Sequence, residues 1–519
     1  MSDRLLIVGW DGADWEILDD LLGRGLLPNV ANLVATGVRG RLNSTIPAHS
    51  WSAWSSFLTG MHPAGHGVYD FVERDPSDPQ RRIPVTSTSI KAATFLERLS
   101  RDGHEVRCGN VPVTYPPIPI RGRMISGVAI PRNGHFVFPA EWARQLERRA
   151  PFPINGMEWQ RFRSSPMALV DEAERFVEQR TRSFEVMLEG DWTVAVCVYV
   201  APDRLQHAMG SSLLPSHPSY PRHSNSEMAV RVRQVFSLLD AALARLHRVA
   251  GEGTTIVLMS DHGFRPVTRA LNLNLLLAEL GLATRSVSGS VARALTRSKF
   301  ARLAANTAVG RKARRLFRAP STVDWSTTVA YESATGGGIS LNLRGREPAG
   351  IVDPERYHET RDDVRDRLLG YRDPETDEAP ITGVRTRDEI PSGPFQALAP
   401  DLIAFPAPLW VFAPNGGLPA PTAWPSGAHR SEGVIAAAGR RVPRGHLADH
   451  DMPDLAATAL AFAGVPATGL DGRTIEEIAG RLLGEGGPSR PVISRSSDRM
   501  SPREEDEVAQ HLRNLGYIE

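Results

Sequence analysis

Cysteine is nearly missing from this chain of 519 residues: there are two, Cys108 and Cys197. That excludes a disulfide framework and any cysteine-based metal site. Long apolar runs are missing as well. None approaches the ~20 residues that a membrane span needs. The N-terminal end goes directly into a short apolar run at 5–8, without the longer apolar region and cleavage site of a signal peptide. The expectation is a soluble, cytoplasmic protein with no transmembrane segment. A charge excess is missing too, with 60 Lys+Arg against 59 Asp+Glu. Nothing global therefore argues for specific nucleic-acid binding. The one local block is 285–318, with ten Arg or Lys and no acid. It reads first as a solvated basic helix on an insertion, and second as a surface that steers anionic substrate or lipid. Gly (45) and Pro (40) are plentiful, which suggests many tight connections.

The stretch 254–263 is the most informative part. An apolar run at 256–259 reads as a buried strand and ends in Asp261, His262 and Gly263. A buried parallel strand cannot carry a carboxylate and an imidazole within its own layer. Such groups belong just past its C-terminal edge, where open α/β sheets bind ligands. Gly263 would permit the turn that lets both side chains converge. The same grammar appears twice more. A strand at 5–9 is followed by Asp11, and a helix over 15–22 takes Asp14 as its N-cap, leaving Asp11 without a structural task. The clearest strand, 192–200, is followed by Asp203 and His207, whose spacing of four puts both on one face of a helical turn. His429 differs, because it precedes its strand at 434–438.

Six hydroxyl residues lie between Ser44 and Ser56, and Trp51, Trp54 and Phe57 recur at helical spacing. Ser50 then stands at a helix N-terminus. It either caps that helix or acts as a nucleophile in a site that favours negative charge. Ser44 and Thr45 are the alternative nucleophiles. His62 and His66 read as structural. Helices are also expected over 28–33, 91–99, 166–188, 228–249, 454–463 and near the C-terminus (501–519), and strands over 106–113 and 338–343.

Asp11, Asp203, Asp261, His207, His262 and His429 are too many ligands for one tetrahedral ion. They suffice for two divalent ions with positions left open for substrate oxygens. Mixed oxygen and imidazole ligands suit zinc first and manganese second.

The order and wording of these segments resemble the alkaline phosphatase superfamily, in particular its type I phosphodiesterase/nucleotide pyrophosphatase branch. The matching text is Val8 to Gly12, Ser50 to Trp54 with Thr59 and Gly60, Asp203 to His207, Ser260 to Gly263, and Gly427 to Arg430. It covers roughly 5–275 and 425–475. The resemblance implies an α/β three-layer sandwich: a mostly parallel sheet with helices on both faces. The expected boundaries are a catalytic core over 1–264 and 426–485, an inserted cap over 265–425, and a C-terminal tail with a short helix over 486–519. It also implies one metal held by Asp203, His207 and His429, another by Asp11, Asp261 and His262, and Ser50 as the nucleophile. The substrate would be a small anionic phosphoester, cleaved through a covalent phospho- or nucleotidyl-serine. Lys91, Asn110 and Arg430 are candidate phosphate contacts. Two departures stand out. Nucleotide pyrophosphatases of this pattern usually carry Thr at the nucleophile and Asn three residues on, where this chain has Ser50 and Ala53. The Pro and Arg that follow a sulfatase nucleophile are missing, which disfavours a sulfatase. The rival readings are a phosphomonoesterase or phosphomutase of the same fold, and a binding protein that has lost its metals.

Overall fold

The structure, a computed structural model, describes residues 3–75, 78–284, 323–413, 419–422, 424–480 and 500–518. The basic block at 285–318 lies outside them.

Five strands form a parallel centre in the order Thr254–Met259, Arg4–Trp10, Val194–Tyr199, Val106–Gly109, Gly122–Ile125. Every residue of Val194–Tyr199 and Thr254–Met259 is buried, as expected for parallel strands covered on both faces. The neighbour on the other side of Thr254–Met259 is Glu432–Ala438, which runs antiparallel and pairs next with Val38–Asn43. Its reversed direction matters. The start of Glu432–Ala438 lies at the same sheet edge as the ends of the parallel strands. His429 can therefore precede its strand and still reach the edge that Asp11, Asp203 and Asp261 follow.

Helices pack in two groups. Pro166–Met187 and Glu227–Ala250 pack against each other, and the latter reaches Arg4–Trp10. Ser50–Thr59 packs against Met452–Ala463. The Ser50–Thr59 helix also lies directly on the central strand, where a Cβ at Gly9 would come within 2.6 Å of the Trp54 ring. Between Gly263 and Arg430, a second sheet of four antiparallel strands runs Ala330–Ala334, Gly338–Leu341, Leu402–Pro406, Ile381–Thr386. It shares an apolar cluster, including Leu276, Leu341, Leu368 and Leu402, that is separate from that of the main sheet. The strand Gly263–Leu271 links the two regions, pairing with Gly427–Arg430 and with Leu409–Phe412. Among the described residues, no helix is long and apolar enough to cross a membrane.

Several boundaries differ from the sequence expectation for local reasons. The helix expected over 91–99 is Phe95–Arg101, because Thr94 and Glu97 form a reciprocal capping box there. The strand expected over 106–113 stops at Gly109, because Asn110 and Val113 adopt positive φ (61° and 63°). The helix expected from 454 begins at Met452, capped by Asp451. In the C-terminal segment the helix is Pro502–Asn514.

Candidate active site

The sheet edge gathers the candidate ligands. Asp11 follows Arg4–Trp10, Asp261 and His262 follow Thr254–Met259, and Asp203 and His207 sit in the first turns of the helix Ala201–Leu213. Two groups converge: Asp203, His207 and His429, and Asp11, Asp203 and His262. In each, the ligand atoms lie within 4.8 Å of one another. Asp203 belongs to both. Asp261 adjoins the second, with Oδ2 3.4 Å from His262 Nε2.

The helix Ser50–Thr59 does not use Ser50 as its cap. His49 takes that place, its Nδ1 accepting from the Ser52 N–H while its Nε2 faces the Tyr69 carbonyl at 2.6 Å. Ser50 is therefore the first helical residue, and its hydroxyl has no capping duty. Its Oγ lies 3.4 Å from Asp11 Oδ1 and 3.3 Å from His262 Nε2.

The three imidazoles share one arrangement. Nδ1 of His207 faces the Gly427 carbonyl at 3.1 Å, that of His429 the Ala48 carbonyl at 3.2 Å, and that of His262 the Gly263 carbonyl at 3.2 Å. A carbonyl oxygen can only accept, so each Nδ1 carries a proton and donates it. In a neutral ring this leaves Nε2 as a lone pair. Those lone pairs converge: His207 Nε2 and His429 Nε2 are 3.0 Å apart, and Asp203 Oδ1 is 3.3 and 3.1 Å from them. Lone pairs crowded this closely repel unless a cation lies among them. Asp261 Oδ2 is buried without a hydrogen-bond donor. The donor set is thus chemically suited to divalent cations.

The electrostatics agree. Burial pushes Asp11 well above the usual carboxylate range, and the neighbouring Asp261 and Asp203 push it further. Burial takes Asp261 up to about 7, opposed by the Gly12 N–H on Oδ1. Asp203 is equally buried, yet His207 and the Arg204 guanidinium, 2.8 Å from Oδ2, hold its carboxyl well below that range. Burial also depresses His262 and His429. Three carboxylates in one dry space cannot all ionise cheaply without added positive charge.

Residues 5–432 match the family model described as type I phosphodiesterase/nucleotide pyrophosphatase. The chain belongs to that family. It is accordingly a phosphoric ester hydrolase, and the family is metal-dependent. Solved structures share the fold. One is murine ectonucleotide pyrophosphatase/phosphodiesterase 5, an inactive form in complex with AMP. It is 14% identical at a TM-score of 0.53, covering 92% of this chain and 100% of that one. Another is phosphonoacetate hydrolase from Sinorhizobium meliloti 1021 in complex with phosphonoacetate. It is also 14% identical at 0.53, covering 88% and 95%. No curated protein matches the chain.

In this phosphodiesterase-family chain, the three candidate phosphate contacts fall in different places. Asn110 is fully buried and donates its amide to the Val198 carbonyl, bracing the neighbouring strand. Lys91 is 3.9 Å from Glu73, and neither it nor Asn110 lines the cavity described next. Arg430 lines that cavity, but one arm is engaged by Asp14, the N-cap of Trp15–Gly23, at 2.5 Å. The cavity has a volume of about 620 Å³ and opens beside His207 and His429, with Trp159, Trp424, Arg163 and Arg265 in its wall. Of the alternative nucleophiles, Thr45 donates to the Pro47 carbonyl, and Ser44 lines a separate small cavity with it. Both histidines at 62–66 lie away from the ligand cluster. His66 is buried against Ser56, and the His62 N–H donates to Asp471.

Sequence reasoning missed four residues that touch the site. Trp54 donates its indole N–H to Asp11 Oδ2 at 3.0 Å. Arg204 pairs with Asp203. Arg265 holds its Nε against the His429 carbonyl at 3.2 Å, while its Nη1 is buried without a partner. Tyr517 donates its hydroxyl to Asp203 Oδ2 at 3.0 Å. Trp54 and Arg204 had a faint signal, being one turn from Ser50 and adjacent to Asp203. Arg265 and Tyr517 had none.

Proposed function

We propose that the protein cleaves phosphodiester or pyrophosphate bonds through a covalent intermediate on Ser50, with two divalent cations, zinc before manganese. The observation that carries this reading is the position of Ser50: its hydroxyl is released from capping and sits within 3.4 Å of both Asp11 and His262. Asp203, His207 and His429 would hold one cation, and Asp11, Asp261 and His262 the other. When bound, such cations supply the positive charge that favours the ionised serine and offsets the charge of the phosphate.

The remaining roles belong to the chain. The N-terminal end of Ser50–Thr59 favours the developing negative charge on Oγ. The Ser50 proton leaves to a solvent base. The bond from Oγ to phosphorus forms opposite the leaving oxygen as the bond to that oxygen breaks. Water then cleaves the serine ester and restores the hydroxyl. Arg265 and Arg430 in the cavity wall suit an anionic substrate, and the half-buried Trp424 offers an apolar ring beside Trp159, which is itself stacked on His207. We also assign 265–425 as the cap over a core formed by 1–264 and 426–485, with 486–519 as the tail.

The test is hydrolysis by metal-reconstituted protein of bis-p-nitrophenyl phosphate against p-nitrophenyl phosphate. We expect the diester to be preferred and chelator to abolish both activities. A large monoester preference would instead assign a phosphomonoesterase or mutase.

A further inference from the structure

Asp203 and Tyr517 are 314 residues apart in the chain, yet they share a hydrogen bond. The C-terminal segment is anchored to deliver that phenol. Its helix Pro502–Asn514 is closed by a Ser501–Glu504 capping box and buries Val508 and Leu512. His511 faces Glu158 at 2.7 Å, and Glu507 accepts from the Arg132 N–H at 3.0 Å. Gly516 turns the chain at φ 77°, in space that a Cβ would take from Gln160. The Tyr517 ring then stacks on Phe71, with centroids 4.2 Å apart and planes within 9°. It meets Trp51 of the nucleophile helix edge-on, and Arg204 lies over its face at 4.8 Å. Thr335 donates to the Tyr517 carbonyl at 3.1 Å.

The consequence is an asymmetric carboxylate. Asp203 Oδ2 accepts from both Tyr517 and Arg204, at 3.0 and 2.8 Å. Oδ1 is left facing Nε2 of His429, His207 and His262, at 3.1, 3.3 and 4.0 Å. A free carboxylate turns about its last bond and can offer either oxygen. Two donors on one oxygen stop that rotation and aim the other.

We propose that Tyr517 is a positioning residue of the metal site, which fixes Asp203 so that Oδ1 is presented to a cation held with His207 and His429. This rests on the reading of Asp203 as a ligand given above. Outer donors that orient a ligand typically contribute ten- to a hundredfold in metal affinity. The full-length Tyr517→Phe protein keeps the stacking ring and loses the hydroxyl alone.

The experiment is a zinc titration against a competing chromophoric chelator for wild type, Tyr517→Phe and Asp203→Asn. It is paired with amide hydrogen exchange across Pro502–Asn514. We expect Tyr517→Phe to bind one zinc ten- to a hundredfold more weakly while tail exchange stays at the wild-type rate. Wild-type affinity in Tyr517→Phe, with clear loss in Asp203→Asn, overturns the role of Tyr517 and leaves the metal site standing. No loss in either variant overturns the metal-site reading and this proposal together. Weaker binding accompanied by faster tail exchange assigns the effect to tail docking, and also overturns the proposal.

Discussion

Trp54→Phe separates the two proposed metal positions. The indole N–H of Trp54 donates to Asp11 Oδ2 at 3.0 Å, and both side chains are buried. Burial and two neighbouring carboxylates already push Asp11 upward, and this hydrogen bond is one of the contacts that oppose them. Phenylalanine removes the donor. A hydrogen bond to a charged group contributes about 1.5–3 kcal/mol. At about 1.4 kcal/mol per factor of ten, that is roughly 10- to 150-fold in the affinity of a cation that needs Asp11 ionised and oriented. Asp203, His207 and His429 have no hydrogen bond to Trp54, so the expected result is one weakened site and one unchanged. The smaller ring also costs stability, on the order of 1–3 kcal/mol, so the titration should be run well below the unfolding temperature. Chelator competition, followed to both equivalents of zinc, is the assay. Two sites of wild-type affinity would show that Asp11 is not a ligand that Trp54 holds, and equal weakening of both would show that the sites are not separable in this way.

Three further outcomes are expected. Ser50→Ala should reduce turnover by at least ~1,000-fold while leaving zinc content unchanged; retained turnover would move the nucleophile elsewhere. Gly263→Ala should cost about 2–4 kcal/mol of stability, because its Cβ would lie 2.0 Å from the Glu432 carbonyl oxygen and 2.4 Å from Asp14 Oδ2; a melting temperature within about 1 °C of wild type, a margin of roughly 1 kcal/mol for a chain of this length, would refute the close approach. Burial, with lesser contributions from His62 and Lys91, pushes His66 down to about 3 from its ordinary 6.5. The unfolded chain then binds a proton that the native one refuses, so stability is complete above pH 6.5 and falls as acid is added toward pH 3. The slope approaches about 1.4 kcal/mol per pH unit. Urea unfolding between pH 7.5 and 5 should show a shallower slope for His66→Gln than for wild type; equal slopes would show that His66 does not titrate this way.

The legible part of the site follows one rule of sheet geometry. Asp11, Asp203, Asp261 and His262 were readable because each follows a short apolar run, and parallel strands deliver whatever follows them to one edge. His429 broke the rule on paper, since it comes before its strand. The antiparallel course of Glu432–Ala438 removes the contradiction, but strand direction is a property of pairing partners and is not written in the run itself. Gly263 begins a strand rather than a turn, and what demands glycine there is the backbone of Glu432 against it. Ser50 was readable as a helix start, but only the placement of His49 as the cap shows that its hydroxyl has no capping duty.

The unreadable part has a common cause. Trp54 belongs to an apolar helical face whose spacing announces core packing, and only the depth of Asp11 turns its edge into a donor. Arg265 and Tyr517 depend on tertiary approach alone. The Arg265 guanidinium meets the His429 carbonyl through Nε and leaves Nη1 without a partner, and a phenol reaches across 314 residues because Phe71 and Trp51 provide a slot for its ring. Motifs record groups whose spacing along the chain is fixed by one local element. The donors that orient those groups come from wherever the fold has space, so they carry no fixed spacing. The sequence of this chain therefore points to side chains that converge at one sheet edge, whereas the contacts that orient them follow only from the fold.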